Sequence, residues 1–310
     1  MKRALVLLTA AALSACAQKE KISVDEARAA VQSANGIQIA APGAAATAGA
    51  QASTVGDPSG YRGATRALAV AFNGTVAWSV GLVRLVVAFP PTECKDDTCT
   101  WGPWSDALAA VEWKLSVTKV ERGHFEYAFS GHLKSQPTAP FVAVMSGTAY
   151  PESSLRGHGS FVIDNEAARA LGSADTGRLE ATYDNRSGLS IGATYTGLTD
   201  GNTGDVGNAR YSYTASATQG DLQVAFRNTT ADPDATLSLH SRWVIPTGEG
   251  RGDASFTQGL LTYNASECWS GSSQGFQVVY WTSNDPAQPT SGNEADCAFS
   301  GAQPPSFSAP

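Results

Sequence analysis

The segment CKDDTC, residues 94–99, places two cysteines around two aspartates and could either bind a metal ion or close a small disulfide loop. Zinc sites use cysteine and histidine ligands, and no histidine lies within twenty residues of this pair. Calcium prefers oxygen ligands, to which cysteines would add nothing. The ligand types therefore favour a disulfide between Cys94 and Cys99, and we expect no metal site and no cofactor.

The chain has four histidines, and two of them, His124 and His132, share one predicted strand. At the rise of a β-strand they lie about 26 Å apart, so they cannot bind one metal ion unless the strand bends. Either could meet His158 or His240 across a sheet, which the sequence does not determine. We interpret all four as solvent-facing strand residues.

No segment predicts a catalytic nucleophile. The run GLSIG, residues 188–192, matches the letters of a nucleophile elbow, but that elbow needs a strand-to-helix turn, and Leu189 and Ile191 alternate as in a strand. Residues 200–205, DGNTGD, carry oxygen-bearing side chains as in a calcium loop, yet glycine stands where a ligand belongs. A polar hairpin loop is the favoured interpretation of that segment.

Four tryptophans, Trp101, Trp104, Trp269 and Trp281, lie near or beyond cysteines in the sequence. If disulfides fixed the loops that carry them, their rings could form a rigid platform for a sugar ring or an apolar ligand. The alternative, which we favour, is that these rings fill the ends of a β core.

The N-terminus has the pattern of an export signal. A short basic start precedes an apolar stretch, residues 4–12, that is too short to span a bilayer as a stable anchor. The LSAC run that ends at Cys16 resembles the lipobox of bacterial lipoproteins. The resemblance implies a signal peptide of residues 1–15 and acylation of Cys16, and Ala17, in place of aspartate, implies the outer membrane. The alternative is an ordinary secretory signal with an unrelated cysteine.

Export places the chain in an oxidising compartment, where disulfides persist. With Cys16 acylated, four cysteines remain, and four cysteines permit three pairings. We favour Cys94–Cys99 and Cys268–Cys297, because each pair brackets a polar, turn-rich stretch. Closing the larger loop would stabilise the fold by about 3–4 kcal/mol on the chain-entropy estimate.

The charge of the chain disfavours nucleic acid as a partner. The net charge is −7, and removal of Lys2 and Arg3 with the signal peptide leaves 19 basic and 28 acidic residues, a net charge of −9. An acidic chain without a basic block binds nucleic acid poorly, and it also lacks a polybasic patch for anionic lipid. We therefore expect contact with the membrane through the lipid at Cys16 alone.

Residues 16–61 are predicted to form the lipidated N-terminus, one short helix and a tether. The helix begins after Ser23, which forms the pattern of a capping box with Glu26. From residue 35 to 60 the chain is rich in Ala, Gly, Ser and Thr with almost no charge. This composition predicts a flexible tether between the lipid and the folded part.

Residues 62–310 predict a single antiparallel β domain. In HFEYAFSGHLK, residues 124–134, apolar side chains alternate with polar ones, as in a half-buried strand. The apolar run 80–89 predicts a buried strand, and residues 165–171, behind Asp164 as N-cap, predict a short helix. Turn-rich segments separate further runs with strand alternation, at residues 111–117, 179–183, 189–195, 211–213, 222–226, 237–245 and 276–280.

These segments add up to an all-β fold of about ten to twelve antiparallel strands with one or two short helices. A sheet of that size tends to curl into a barrel or fold into a sandwich, so we predict a barrel-like or sandwich domain. A membrane-spanning barrel is disfavoured, because the outward strand faces carry Glu, Arg, Lys and Asp where lipid requires apolar residues.

The anchor, the tether and the lack of a coherent catalytic set favour a non-enzymatic, lipid-anchored envelope protein. Its β domain would bind an envelope glycan, an apolar ligand or a protein partner, or serve a structural role. The competing hypothesis is a periplasmic hydrolase of a glycan or an ester, in which acids such as Asp106, Glu112 or Asp164 act with a histidine. Two carboxylates facing each other across a cleft would favour the hydrolase.

Overall fold

The structure is a computed structural model. It describes residues 21–31, 33–43, 54–199, 203–231, 233–273 and 275–310. The predicted signal peptide and Cys16 lie outside the described residues, as do residues 44–53 of the predicted tether and residues 200–202 of the predicted polar loop. Acylation of Cys16 therefore stays a prediction.

One antiparallel sheet of 15 strands forms most of the fold, and each strand pairs with its neighbours in sequence. The all-β class is confirmed, but the strand count exceeds the predicted ten to twelve. The sheet runs from β1 to β15 without a crossover and is open rather than closed into a barrel. The strands are β1 (Glu93–Lys95), β2 (Thr98–Trp104), β3 (Val111–Glu121), β4 (His124–Leu133), β5 (Val142–Pro151), β6 (Gly157–Asp164), β7 (Arg178–Asp184), β8 (Leu189–Thr199), β9 (Val206–Ala215), β10 (Gln219–Asn228), β11 (Ala235–Val244), β12 (Gly250–Gln258), β13 (Leu261–Ser272), β14 (Gly275–Ser283) and β15 (Ser291–Gly292).

Helices lie at both ends of the described chain and beside the sheet. Helix α3 begins after Asp164, whose side chain accepts a hydrogen bond from Ala167 N–H at 2.8 Å, so the predicted N-cap is present. The α-helices are α1 (Val24–Ala30), α2 (Gly60–Ala88) and α3 (Asn165–Arg169), and the 3₁₀ helices are Ala34–Ile37 and Glu294–Asp296.

The capping box predicted for α1 is present. The backbone N–H of Glu26 donates to Ser23 Oγ at 3.2 Å, and the Ser23 N–H donates to the Glu26 carboxylate at 2.9 Å. Lys119 of β3 donates to the same carboxylate at 2.7 Å. The hydrogen bonds from Lys119 and Ser23 lower the pKa of Glu26 to about 2. With Ala27 and Ala30 fully buried, α1 packs against the rest of the fold.

Residues 33–43, most of which were assigned to the tether, lie along the sheet. Ile37 and Ile39 are buried, the Asn185 side chain donates to the Gly36 carbonyl at 2.6 Å, and the Ala40 N–H donates to the Tyr213 hydroxyl at 3.2 Å. Two isoleucines and hydrogen bonds to the sheet fix a segment whose composition is otherwise that of a linker.

Residues 60–88 form helix α2, which corrects the prediction that a β domain starts at residue 62 and that residues 80–89 form a buried strand. Ser59 is the N-cap, and its Oγ accepts a hydrogen bond from Arg62 N–H at 3.2 Å. The physical reason for the error is that residues 80–89, read alone, carry valines and leucines with one charge, Arg84, and such a short apolar run does not distinguish a strand from a helix. Its buried residues recur at helical spacing and include Thr65, Ala69, Phe72, Val76, Val80, Val83 and Val87.

Helix α2 crosses one face of the sheet, here called the inner face. Near its start, the hydroxyls of Thr65 and of Ser241 on β11 lie 2.6 Å apart. Just past its end, the Phe89 carbonyl accepts a hydrogen bond from Trp101 Nε1 on β2 at 2.9 Å. The core therefore lies between α2 and the inner face, and includes Leu115, Tyr127, Phe161, Leu179, Ile191, Tyr213, Leu222, Trp243 and Trp269.

Glycines in several strands stand opposite aromatic residues of the neighbouring strand. Gly147 pairs with Tyr127, and a Cβ atom at Gly147 would collide with the Tyr127 phenol. Cross-strand contacts with a large ring can compensate for a strand glycine. The same arrangement holds for Gly159 with Tyr183, Gly220 with Trp243 and Gly250 with Trp269.

The two disulfides have the pairing that the sequence favoured, and they lie near opposite edges of the sheet. Cys94 and Cys99 face each other in the β1–β2 hairpin. Cys268 of β13 is bonded to Cys297, which follows the 3₁₀ helix Glu294–Asp296. The edge strands themselves have only three and two residues, which leaves little unpaired backbone for edge-to-edge association.

The C-terminal residues 299–310 cross the outer face of β9 to β12. Asp253 is central to this contact, because it accepts hydrogen bonds from the side chains of Arg242 (3.1 Å), Arg251 (2.9 Å) and Ser266 (2.7 Å) and from Gln303 N–H (3.1 Å). Arg242 also donates to the Gly301 carbonyl at 2.9 Å. A buried ion cluster thus holds the C-terminal segment on the sheet.

Among the described residues, α2 is the one helix long and apolar enough to cross a membrane by length and composition. The core helix of a soluble protein passes the same test. One third of its most apolar stretch is buried, and Val76 and Val83 are fully buried. Helix α2 is thus a core helix with one uncovered side.

Candidate functional site

Two apolar cavities lie between α2 and the inner face, and we name them the N-terminal and C-terminal cavities after the half of α2 that lines each one. Their volumes are about 520 and 490 Å³. Small-molecule sites usually have volumes of about 300 to 1,000 Å³, so each could hold a ligand.

Among the residues that the structure describes, no charged side chain lines the N-terminal cavity, and the only polar side-chain groups there are the phenols of Tyr61 and Tyr263. The Tyr263 hydroxyl donates to Gln288 Oε1 at 3.2 Å, so one of the two already has a partner. The lining consists of Gly60, Tyr61, Gly63, Ala64, Ala67 and Leu68 from α2 and Phe226, Leu237, Leu239, Ala254, Phe256 and Tyr263 from β10 to β13.

The cavity exists because small residues of α2 face large ones of the sheet. Ala64 and Ala67 carry only a methyl group each, so the helix does not fill the space up to β11 and β12. An adjoining cavity of about 660 Å³ shares the lining residues Leu237, Phe256 and Tyr263 and continues towards Asn284 and its neighbours after β14. The space therefore extends beyond the N-terminal cavity, towards an end that Asn284 and Asp285 make polar.

Helix and sheet touch between the two named cavities. The rings of Phe72 and of Tyr211 on β9 lie 6.4 Å apart. Burial raises the pKa of Tyr211 well above its usual range. The contact thus separates an N-terminal binding space from a C-terminal one.

The C-terminal cavity has a more polar lining. Trp78 and Leu82 of α2 line one side. Trp113 of β3 and Phe129 of β4, whose rings stack at 5.1 Å, line the other. The segment around α3 adds polar side chains, including that of Asp175. Of the two cavities, the N-terminal one is the more uniform apolar site.

Glu267 of β13 lies at the N-terminus of α2 and is fully buried. Its Oε1 accepts hydrogen bonds from the Ser59 hydroxyl and, at 3.1 Å, from Tyr61 N–H. Its Oε2 has no partner among the residues that the structure describes. Burial raises the pKa of Glu267 to about 7, although the hydrogen bonds from Ser59 and Tyr61 act in the opposite direction.

The four tryptophans do not converge on one platform. Trp101, Trp269 and Trp281 are buried, and Trp104 is 38% exposed. Trp101 lies under the end of α2, whereas Trp281 contacts Tyr61 edge-on, with ring centroids 5.7 Å apart, near its start. The buried rings occupy opposite ends of the core, as the alternative interpretation had it.

Two histidines are buried, so their interpretation as solvent-facing residues was wrong. His240 Nε2 lies 3.0 Å from the Asp221 carboxylate, and its Nδ1 lies 2.7 Å from the Gln303 carbonyl, so both nitrogens are occupied in holding the C-terminal segment. His132 Nε2 lies 2.7 Å from the Gln136 carbonyl. These hydrogen bonds offset the cost of burying His240, whereas for His132 they do so at Nε2 alone, because its Nδ1 has no partner among the described residues.

The other two histidines, His124 and His158, stack against Tyr150, with ring centroids 4.3 and 4.4 Å from it. The pattern of a single strand cannot reveal this stack, because the three rings lie on three different strands, β4, β5 and β6. No group of three or more His, Cys, Asp or Glu side chains in the described part of the chain is placed to hold a metal ion.

The acids considered for hydrolysis, Asp106, Glu112 and Asp164, line neither named cavity. Asp164 is engaged on both oxygens, by the cap of α3 and by Arg178 at 2.6 Å. Residues 189–192 of the GLSIG run lie in β8, as the alternation of Leu189 and Ile191 predicted, and not on a strand-to-helix turn.

The residues that line the N-terminal cavity were not predicted as a site. Their signal in the sequence is the recurrence of Gly60, Gly63, Ala64 and Ala67 at helical spacing, which has meaning only once α2 is known to be a helix. Comparisons with protein-family models, with curated proteins and with solved structures found no match to this chain.

Proposed function

We propose that this chain is a lipid-anchored cell-envelope protein that binds the hydrocarbon part of an amphiphile, such as an acyl chain, in the N-terminal cavity. The supporting observation is a cavity of about 520 Å³ without a charged side chain in its lining. Transfer of an apolar chain from water into such a site is favourable by about 25 cal/mol for each Å² of apolar surface buried.

The cavity suits an apolar ligand better than a glycan. A sugar ring carries hydroxyl groups that must find hydrogen-bond partners when they leave water, and an unpaired polar group is costly to bury. The lining offers two phenols, of which Tyr263 is already bonded. The hydrolase alternative gains no support from Asp106, Glu112 or Asp164, which lie away from this lining.

Binding is tested with a fluorescent polyene fatty acid in vesicle-free solution, using the mature chain with Cys16→Ser. We expect saturable binding by this protein. Ala64→Trp places an indole in the cavity and should weaken affinity at least tenfold, or about 1.4 kcal/mol. The matched control is Ala77→Trp on the same helix, at an exposed position that lines neither cavity, and it should bind normally. Absence of saturable binding, or equal losses in both variants, would refute the proposal.

The location is proposed from the lipobox resemblance, with the outer membrane as the destination. Cys16→Ala should abolish incorporation of labelled fatty acid into the protein in a bacterial host, because the acylated atom is removed. The control Cys94→Ala/Cys99→Ala removes two other cysteines and should stay labelled. Equal labelling of Cys16→Ala and the wild type would show that Cys16 is not the anchor.

A further inference from the structure

The side of α2 that faces away from the sheet is apolar along its length. Three large exposed side chains of α2, Val70, Trp78 and Leu85, and that of Phe89 directly after the helix form what we call the outer ridge, and they are 58%, 65%, 61% and 62% exposed. The remaining exposed positions of α2 are alanines, one glycine and Arg84, which is the single charged residue among them.

No described part of the chain covers this side. A Cβ atom added at Gly74 or Gly81 would meet no atom within 4 Å, so the space outside the helix is open at both positions. Single exposed apolar residues are ordinary on protein surfaces, but a continuous apolar stripe of several turns marks an interaction surface.

The outer ridge ends close to where the predicted lipid must lie. Arg28 of α1 donates to the Val87 carbonyl at 3.0 Å and to the Ala88 and Phe89 carbonyls at 3.4 Å, so α1 is fixed at this end of α2. Ile22, just before α1, is held by a hydrogen bond from its N–H to the Asp96 carbonyl at 3.0 Å. Cys16 precedes Ile22 by six residues, which span at most about 20 Å even when extended.

We propose that the outer ridge docks on the surface of the bilayer that holds the acyl group of Cys16, with α2 lying along the membrane. Trp78 suits the boundary between headgroups and acyl chains, because its ring is apolar and its N–H is polar. Apolar contact drives this docking, since the chain has a net charge of −7 and the exposed side of α2 carries one cation.

Docking in this way brings the cavities to the lipid. Ala64 and Ala67 are exposed and also line the N-terminal cavity, and Trp78 belongs to both the outer ridge and the C-terminal cavity. An acyl chain can then pass from the bilayer into the protein with little exposure to water. This last step rests on the proposed ligand binding, whereas the docking itself does not.

The test is flotation of the mature Cys16→Ser chain with neutral phosphatidylcholine vesicles, at low and at high salt. We expect the protein to float equally well in both, because apolar contacts are not screened. Trp78→Glu/Leu85→Glu should reduce vesicle partitioning at least tenfold. The control Leu155→Glu/Leu260→Glu adds the same two charges at exposed leucines in two loops away from α2, and it should float like the parent.

A second measurement places the ridge itself in the lipid. Brominated lipids should quench the tryptophan fluorescence of the parent more than that of Trp78→Phe. The difference in quenching between the two proteins reports the contact of Trp78 with lipid. Absence of flotation, or equal flotation of the ridge variant and the parent, overturns the proposal. The proposal is also overturned if the parent forms a dimer in vesicle-free solution and Trp78→Glu/Leu85→Glu is monomeric. A second copy of the chain, not the bilayer, would then cover the outer ridge. Fatty-acid binding in solution should survive in the ridge variant, so the two proposals can fail separately.

Discussion

Asp253→Asn should lower the free energy of unfolding by about 3–5 kcal/mol, the usual cost of breaking a buried ion pair from one side. The Asp253 side chain is 4% exposed, and its partners Arg251 and Arg242 are 1% and 9% exposed. An amide in place of the carboxylate removes the negative charge between two buried guanidinium groups and turns one acceptor into a donor. Glu294, 2.6 Å from Arg251, compensates only one of the two cations.

The measurement is urea unfolding of the oxidised protein, with the free energy and the m value fitted together. The matched control is Asp234→Asn, which breaks an ion pair of similar geometry with Arg227, at 2.6 Å, on the surface. Both side chains of that pair are at least 40% exposed, so the change should cost less than about 1 kcal/mol. The Asp253 variant should also release residues 299–310 to carboxypeptidase. If the two variants lose the same unfolding free energy, burial of the Asp253 cluster does not add to its contribution to stability.

Glu267→Gln should change how stability depends on pH, by about 3 kcal/mol between pH 4.5 and pH 8. The pKa of Glu267 is raised from 4.5 to about 7 in the folded state. Between these values the folded protein binds more protons than the unfolded chain, so this residue makes stability fall as pH rises and contributes no further slope above about pH 7. Glutamine keeps an acceptor for Ser59 and Tyr61 but does not titrate.

The quantity to measure is the unfolding free energy of Glu267→Gln minus that of the wild type at several pH values. This difference should move in favour of the variant as pH rises from 4.5 to 7 and then become constant. Glu126→Gln makes the same chemical change at an exposed position of β4 and should give a flat difference curve. A flat curve for Glu267→Gln as well would mean that the buried carboxyl titrates as it does in the unfolded chain.

Strand alternation predicted the sheet well wherever large apolar residues fill the inner face. The segment from residue 124 became β4, and the runs beginning at residues 111, 179 and 189 became β3, β7 and β8. The strands β5, β6 and β12 were not predicted individually, because glycines such as Gly147 and Gly159 occupy inner positions and interrupt the alternation. The aromatic ring that fills each of these positions comes from a neighbouring strand, which a single strand's pattern cannot reveal.

The candidate site was harder to predict than the fold. It depends on α2, whose sequence combines strand-like valines near Val83 and Val87 with small residues such as Ala64 and Ala67. Only Arg62, Arg66, Asn73 and Arg84 mark a polar side over its 29 residues, which is a weak form of the signature by which amphipathic helices are found. The disulfide pairs, by contrast, could be chosen from the turn-rich stretches that they enclose, because short loops constrain which cysteines meet.

The linear order of the strands has a consequence for biogenesis. Each of the fifteen strands pairs only with its immediate neighbours in the chain, so a polypeptide delivered N-terminus first can add one hairpin after another, with little waiting for distant partners. Residues 60–88 are the exception, because this long apolar helix emerges before the surface that will shelter it has been synthesised. A chain of this design therefore has its greatest need of a chaperone early, before its strands have been synthesised.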